Sequence, residues 1–439
     1  MRIEKKYLKA PLTAQLEVTD FCNHRCIHCY NLDSDIANRP MRDLKDEVVI
    51  QCAQKLIDNG IFSVVISGGE PLIKKNLTRK LITLFQDNKV QVHLNTNLTL
   101  FDDTFIEFLA KTQVTVLTSC PSAIPESFEN LTGVNNYRLF SEMAKKLVTA
   151  DVKFAVNMVI TKDNIHEIRE TAKAMKALGC KAFAATPMGL NMTYPRLDLL
   201  LSVQEVQQVI YDLLWIEDNL DLYVDVMEAL PKCVFPEKIL SERHSFLNRK
   251  CQAGRTVISV ACNGNVRPCA HNPIAYGNIL KEDLGEIWSR MNEWRSSQYV
   301  PDNCRTCSWL NRCNGGCRTS SKTFNGEWNS RDMWAGEPLH TAPPLISQPI
   351  KLLPDSVLRF NDEYLYREEY DGVFVVYNTL DDMYFMINKP YYDFILELKR
   401  VGPMSLSDMQ RRYCGGQENT AFSNTILFLV KEKMLKIEK

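Results

Sequence analysis

The chain lacks the segments that would place it in or across a membrane. No stretch reaches the roughly 18 unbroken apolar residues of a membrane span, and the first residues lack the apolar run of about 7 to 15 residues that a signal peptide needs. Excess positive charge is also missing. The 439 residues carry a net charge of -1, which argues against bulk binding to nucleic acid or to an anionic membrane. We therefore expect a cytoplasmic protein.

Disulfide bonds are not expected either, because cytosolic thiols are kept reduced. The sequence nevertheless holds 15 cysteines. Where cysteines cluster in a reduced compartment, they predict metal or cluster ligation. They cluster twice, while four stand alone and are expected to be ordinary thiols: Cys52, Cys180, Cys233 and Cys414.

The first half of the chain alternates short apolar runs with longer segments of helical period. This pattern predicts repeated βα units and a parallel sheet. The predicted strands are 14–18, 63–67, 91–95, 114–118, 153–160 and 181–185, and the predicted helices are 45–59, 77–88, 102–111, 138–150, 165–178 and 202–217. Six units fit an α/β partial TIM barrel over residues 1–230, with its chemistry at the carboxyl ends of the strands.

Three cysteines follow the first predicted strand in the loop TDFCNHRCIHCYN: Cys22, Cys26 and Cys29. The spacing CxxxCxxC lets them ligate three irons of one 4Fe-4S cluster and leaves the fourth iron open. A zinc knuckle with His24 and His28 as further ligands is the alternative. The loop resembles the signature of the radical S-adenosylmethionine (SAM) superfamily, with His28 as the aromatic residue before the third cysteine.

The second predicted strand ends in a GGEP element formed by Gly68, Gly69, Glu70 and Pro71. The element resembles the one in which, in the same superfamily, backbone and acidic side chain bind the methionine amino group. An ordinary Gly-Pro turn is the alternative. Glycines there would let a polar ligand approach the main chain closely.

Later strand ends carry further polar residues, which match cofactor-contacting positions in relatives: Asn95, Asn97, Ser119 and Asn157. Strand-end turn residues are the alternative. Cys120 is a candidate hydrogen donor to a substrate radical, or else a buried structural thiol.

The resemblance to the superfamily also implies the chemistry. SAM would chelate the open iron, and one electron from the reduced cluster would release a 5'-deoxyadenosyl radical that abstracts hydrogen from an unactivated carbon. A reductant such as flavodoxin or ferredoxin would supply the electron. The protein would bind, orient and exclude water.

The second cysteine cluster lies between residues 251 and 317, within a predicted domain of residues 231–335. It resembles the SPASM extension of peptide-modifying radical enzymes, which binds two auxiliary 4Fe-4S clusters. The resemblance assigns Cys251, Cys269 and Cys317 to the first cluster, with Cys262 as an extra thiol that could complete it, and Cys304, Cys307 and Cys313 to the second. A zinc ribbon is the alternative.

The chain departs from the SPASM pattern at one position. The pattern ends with a cysteine in a D-x-x-C context, and Ala335 occupies that place after Asp332. The second auxiliary cluster would therefore have an open iron, borrow Asp332, Glu337 or His340, or be degraded.

A third domain is predicted at residues 356–439, after a linker at 336–355. Strands at 358–367, 373–377 and 383–387 precede helices at 390–399, 405–413 and 423–438. This winged-helix-like α+β plan resembles the PqqD-like peptide-recognition element, which binds a precursor's leader peptide as an extra strand. A structural or DNA-binding winged helix is the alternative, although the acidic stretch NDEYLYREEYD argues against DNA.

Together these features predict a radical SAM enzyme that modifies a ribosomally made precursor peptide. The bond it makes stays open, since cross-linking, epimerisation and decarboxylation begin with the same hydrogen abstraction. A sulfatase-maturing oxidase is an alternative, but Ala270 stands where those enzymes carry an acidic base. A non-catalytic iron-sulfur scaffold is a further alternative, which has no need for an open iron.

Overall fold

The structure is a computed structural model that describes residues 8–31, 45–242, 244–341, 352–379, 383–417 and 419–438. The chain divides into a large unit, Ala10–Pro344, and a small unit that consists mainly of Leu345–Lys439. Within the described ranges, no helix is long and apolar enough to cross a membrane.

A ten-stranded sheet forms the centre of the large unit. Its strands are β1 Thr13–Glu17, β2 Ser63–Ser67, β3 Gln91–Thr96, β4 Thr115–Ser119, β5 Phe154–Ile160, β6 Ala182–Pro187, β7 Tyr223–Asp225, β8 Val257–Val260, β9 Asn265–Arg267 and β10 Gly277–Asn278. Strands β1 to β7 run parallel in chain order. The α/β partial-barrel class predicted from the sequence is confirmed.

The sheet is larger than the six strands that we predicted. Strand β8, from the region assigned to the SPASM extension, pairs parallel with β1, and β9 and β10 add antiparallel neighbours. The short strand β7 extends the other edge. The extension and the barrel therefore share one continuous sheet.

The large unit also contains twelve α-helices within the described residues. They are α1 Asp46–Asp58, α2 Lys75–Asp87, α3 Asp103–Leu109, α4 Pro125–Thr132, α5 Tyr137–Thr149, α6 Ile168–Ala177, α7 Val203–Leu220, α8 Glu237–Leu240, α9 Leu284–Ser289, α10 Asn292–Arg295, α11 Leu310–Cys313 and α12 Arg318–Asn325. In α2, Leu77, Leu81 and Phe85 are buried at four-residue intervals, which forms one apolar stripe. Each such side chain contributes roughly 1.5–3 kcal/mol of burial.

The small unit contains β11 Val357–Phe360, β12 Tyr364–Glu368, β13 Val373–Asn378, β14 Tyr384–Asn388, α13 Lys389–Val401, β15 Met404–Ser405, α14 Leu406–Cys414, α15 Thr420–Lys431 and β16 Leu435–Ile437. The strands form two antiparallel three-stranded sheets, ordered β15-β11-β16 and β12-β13-β14. Side chains from both sheets and all three helices share one core.

Two predictions for this unit are wrong. The single strand expected at 358–367 is split into β11 and β12, which belong to different sheets. The last helix ends at Lys431 because Lys433 has a left-handed φ of 60°, and the chain then returns as β16 beside β11. Residues 342–351 of the predicted linker and 380–382 of a predicted turn lie outside the described residues.

Candidate functional site

The loop that carries Cys22, Cys26 and Cys29 leaves the carboxyl end of β1 and is held on two sides. The main-chain N–H groups of Gly69 and Glu70 donate to the carbonyls of Thr19 and Phe21 at 2.7 and 2.8 Å. On the other side, main-chain bonds join Arg25 and Ile27 to the end of α4, at 2.7 and 3.0 Å. The backbone around the three cysteines is therefore fixed by the barrel.

The two glycines of GGEP are required by this contact. A Cβ on Gly69 would lie 2.1 Å from the carbonyl oxygen of Phe21, far inside a normal contact. Gly68 has a φ of +138°, and its Cβ would lie 2.4 Å from the carbonyl oxygen of Thr19. We expected the two glycines to let a ligand approach the main chain. In the structure they let the cysteine loop pack against it.

The three thiols of the loop lie close enough to affect one another's charge. Burial is the main cause that raises the pKa of Cys22 to about 12, and the Cys29 charge adds to it. Burial and the charges of Cys29 and Cys22 also raise the pKa of Cys26. Buried thiolates in a group are costly unless a cationic centre binds them. This donor set therefore fits an iron-sulfur cluster.

Glu70 lies beside this loop as a buried carboxylate. Its oxygens accept hydrogen bonds from Leu72 N at 3.0 Å, Thr96 Oγ1 at 2.8 Å and Asn97 N at 2.8 Å. Burial raises its pKa to about 7, and its charge adds to the raised pKa of Cys22. A carboxylate has about four acceptor positions. One thus remains for a cationic group such as the amino group of SAM.

The two histidines of the loop have different surroundings. The Nδ1 atom of His28 is buried without a hydrogen-bond partner among the described residues, and burial lowers its pKa to about 4. An unsatisfied buried nitrogen costs about 1–3 kcal/mol, which a bound ligand would offset. His24 instead packs edge-on against Phe128 at 6.2 Å between ring centroids, which is a structural position.

Three of the predicted strand-end residues share one face of the sheet. Ser119 is the direct register partner of Asn157, and Asn95 pairs with Leu117, two residues before Ser119. Because side chains alternate along a strand, Asn95, Ser119 and Asn157 point to the same side. The Asn157 Oδ1 atom accepts a hydrogen bond from Thr186 Oγ1 at 2.6 Å.

Asn97 has a different role from its neighbours. Its main-chain N–H binds Glu70, its side-chain amide donates to Asn23 Oδ1 at 2.8 Å, and its Oδ1 accepts from Thr99 at 3.0 Å. The side chain that we expected to contact the cofactor therefore holds the cysteine loop against the end of β3.

Cys120, the candidate hydrogen donor, lies in the apolar core. It is 0% exposed, its sulfur donates to the Ser122 carbonyl at 3.3 Å, and burial raises its pKa. It follows Ser119 in the chain and so points to the opposite side of the strand, into the core. Its position supports the interpretation of Cys120 as a buried structural thiol.

Two aromatic residues that sequence reasoning missed border a cavity of about 280 Å³. The hydroxyl of Tyr30 bonds to Gln15 Nε2 at 3.0 Å and to Ser67 Oγ at 3.2 Å, and its ring stacks on His271 at 5.1 Å. Ala270 lines the same cavity. Their only signal in the sequence was proximity to Cys29 and Cys269.

The three thiols assigned to the first auxiliary cluster, Cys251, Cys269 and Cys317, lie near one another in the structure. Burial raises the pKa of Cys317, and the charges of Glu228, Cys251 and Cys269 add to it in that order. Glu228 was not anticipated from the sequence. These thiols therefore form one group.

Asp332 lies next to this group and binds its main chain. Its Oδ2 accepts from Cys317 N at 2.8 Å and its Oδ1 from Trp334 N at 3.0 Å. Burial raises its pKa to about 7. The carboxylate that we considered as a ligand of the second cluster is therefore bonded to the main chain of Cys317.

The second auxiliary group gathers Cys304, Cys307 and Cys313. After burial, the charges of Cys313 and Cys307 contribute to the raised pKa of Cys304. Two sulfurs accept main-chain N–H bonds from distant segments, Cys313 from Lys232 at 3.3 Å and Cys307 from Leu339 at 3.4 Å. Within the described residues, no three acidic, His or Cys side chains are placed to bind a single metal ion. The ligands of an iron-sulfur cluster lie farther apart than that, because each binds a different iron.

Cys262 is the extra thiol that could complete the first cluster. It is buried in the main apolar core, and its charge contributes to the raised pKa of Cys52 on α1, for which burial is the larger cause. Cys262 therefore has Cys52 as its neighbour, a thiol that we had regarded as isolated, and its role as a cluster ligand stays a prediction.

Comparison with known proteins adds independent findings. The model of the Radical SAM superfamily matches residues 16–175, and that of the iron-sulfur cluster-binding domain SPASM matches residues 251–308. An AdoMet-dependent heme synthase of Methanosarcina barkeri is 25% identical, with 73% of this chain and 94% of the relative covered. A PqqA peptide cyclase of Granulibacter bethesdensis is 22% identical, with 74% and 87% covered.

Among solved structures, Streptococcus suis SuiB bound to precursor peptide SuiA has a similar fold. The TM-score is 0.57 at 22% identity, with 71% of this chain and 73% of that chain covered. The fold and both domain matches define a radical SAM enzyme. This chain carries a radical SAM domain followed by a SPASM domain, and its cofactors are a 4Fe-4S cluster, SAM and auxiliary iron-sulfur clusters.

Proposed function

We propose that this enzyme is a peptide maturase that modifies a ribosomally made precursor. Its relatives include a PqqA peptide cyclase, and a protein of similar fold binds a precursor peptide. This likeness alone does not decide the substrate, because a heme synthase is similar as well. The observation that carries the proposal is the small carboxyl-terminal unit.

That unit offers a sheet edge to an extended peptide. Strand β14 pairs with β13 on one side and is the outer strand of its sheet within the described residues. Phe374 and Ile387 are register partners on the side that faces the core, and Phe385 packs edge-on against Phe428 of α15 at 5.5 Å. A leader added beside β14 would gain main-chain hydrogen bonds, with α15 nearby for side-chain contacts.

The proposed roles in the large unit follow from the geometry above. Cys22, Cys26 and Cys29 hold the radical cluster, Glu70 receives the amino group of SAM, and the free Nδ1 of His28 pairs with the bound cofactor. The sheet face of Asn95, Ser119 and Asn157 borders the cofactor. When bound, the cluster and SAM together supply a hydrogen-abstracting 5'-deoxyadenosyl radical.

The chain's own residues then bind, orient and shield. Glu70 is held in place by three hydrogen bonds, so it needs no rearrangement to accept a cation. The sulfatase-maturing alternative is weakened because Ala270 lines the cavity beside Tyr30 and has no proton-accepting group.

The test uses the anaerobically reconstituted full chain and the small peptides encoded beside its gene. We expect one of them to bind, and to gain or lose hydrogen in a SAM-dependent reaction detected by mass spectrometry. A variant that ends at residue 341 should keep SAM cleavage and lose peptide binding. Conversion of a heme precursor, with no change in any neighbouring peptide, would refute the proposal.

A further inference from the structure

The expected last cysteine of the SPASM pattern is missing at Ala335, yet another cysteine lies at this place in space. Cys233 belongs to the short turn Lys232–Val234, far back in the chain. A Cβ built on Gly336, the residue after Ala335, would lie 3.8 Å from the Cβ of Cys233. The Gly336 backbone also lowers the pKa of the Cys233 thiol, although burial outweighs it.

The same turn contacts the second auxiliary group directly. The residue before Cys233 donates its main-chain N–H to the sulfur of Cys313 at 3.3 Å. Burial is the main cause that raises the pKa of Cys233, and the charges of Cys313 and Cys304 add to it. Cys233 therefore lies near Cys313 and Cys304 and beside Gly336, where the pattern lacks a ligand.

Two of the three other candidates for the missing ligand already have partners in the structure. Both carboxylate oxygens of Asp332 accept main-chain bonds beside the first auxiliary group. The side chain of Glu337 is 86% exposed and pairs with Arg331 at 3.2 Å. These contacts hold Asp332 against the main chain of Cys317 and Glu337 at the surface beside Arg331.

We propose that Cys233 is the fourth ligand of the second auxiliary cluster, in place of the cysteine that the pattern has at Ala335. This inference rests on the proposed ligation of that cluster by Cys304, Cys307 and Cys313. Four thiolates close the cluster, so no iron is left open for a substrate. The second auxiliary site is thus suited to electron transfer rather than to substrate binding.

The test removes the radical cluster first, through Cys22→Ala, Cys26→Ala and Cys29→Ala, so that only auxiliary iron is counted. In this parent, Cys233→Ala should cost at least about one iron per chain, and mild oxidation should add about one three-iron EPR spin per chain. Cys180→Ala, a buried thiol in the barrel, is the matched control and should equal the parent. Unchanged iron and EPR in Cys233→Ala would overturn the inference.

Two further variants separate the possible failures. Ala335→Cys, added to Cys233→Ala, should restore the parent's iron and spectrum by returning the ligand to the pattern position. A loss that Ala335→Cys does not reverse would give Cys233 a folding role and overturn its role as ligand. Cys304→Ala should lose iron in any case, and if it does not, the proposed ligand set of the second cluster is what fails.

Discussion

The radical site and the second auxiliary site bind the same kind of cofactor but are built differently. The three thiols of the radical site come from one loop of eight residues, Cys22–Cys29, and the barrel fixes its backbone on two sides. The second auxiliary group instead receives main-chain bonds from residues 232 and 339. The backbone of the first site is therefore in place before its cluster binds. The second site instead depends on distant segments of the chain that come together around its cluster.

This contrast predicts different responses to substitution. A change in the barrel that displaces the radical loop should remove a whole cluster. A substitution near the auxiliary groups should remove only part of the auxiliary iron, because the ligands come from several segments of the chain.

The largest effect is expected from Gly69→Ala. The new Cβ would lie 2.1 Å from the Phe21 carbonyl, and because both partners are backbone, the cysteine loop must shift. We expect loss of about four irons per chain and of all SAM cleavage. Iron analysis and detection of 5'-deoxyadenosine test this.

Gly326→Ala provides the control. Gly326 has a φ of +85° and nothing within 4 Å of a built Cβ, so alanine adds strain of about 1 kcal/mol without a clash. It should keep its full iron content. If Gly69→Ala keeps the radical cluster, the loop is not fixed in advance, and the contrast with the auxiliary site fails.

The next largest effect is expected from Asp332→Ala at the first auxiliary group. The change leaves the N–H groups of Cys317 and Trp334 without their acceptor, and each unsatisfied buried donor costs about 1–3 kcal/mol. We expect a partial loss of auxiliary iron and a lower unfolding temperature. Asp302→Ala, whose side chain is 85% exposed, should change neither. Full auxiliary iron in Asp332→Ala would show that the first auxiliary site, like the radical site, is in place before its cluster binds.

Glu70→Gln tests the preorganised carboxylate of the radical site. Removal of its charge should weaken SAM binding roughly tenfold or more, as expected for a hydrogen bond to a charged group, and cluster content should stay unchanged. Glu107→Gln, on the exposed side of α3, is the control. Equal SAM affinity in Glu70→Gln would exclude contact with the amino group.

The stability of Glu70→Gln should also depend on pH differently from that of the unchanged protein. Burial raises the Glu70 pKa from 4.5 to about 7, so between these values the folded state holds a proton that the unfolded state has released. The free energy of unfolding of the SAM-free protein therefore falls as pH rises through this range, by about 3 kcal/mol from this group. Unfolding of Glu70→Gln should lack this component, and equal pH profiles would contradict it.

The two sites also differ in what could be predicted from the sequence. The barrel strands and the radical loop follow local patterns, and all six predicted strands exist. The place of Cys262 and that of Cys233 depend on contacts between distant segments, which spacing along the chain does not encode. The return of β16 beside β11 depends on one left-handed residue, Lys433, in a segment that otherwise has helical period.

The smallest effect is expected from Cys262→Ala. Because Cys262 packs in the core with Cys52 as its neighbour, its loss removes one buried sulfur and should lower stability by about 1 kcal/mol. Auxiliary iron should be unchanged, whereas Cys269→Ala should lose iron from the first group. The two variants are compared by iron analysis and by thermal unfolding. If Cys262→Ala loses as much iron as Cys269→Ala, then Cys262 completes the first cluster, and that site is as fully supplied with cysteine as the second.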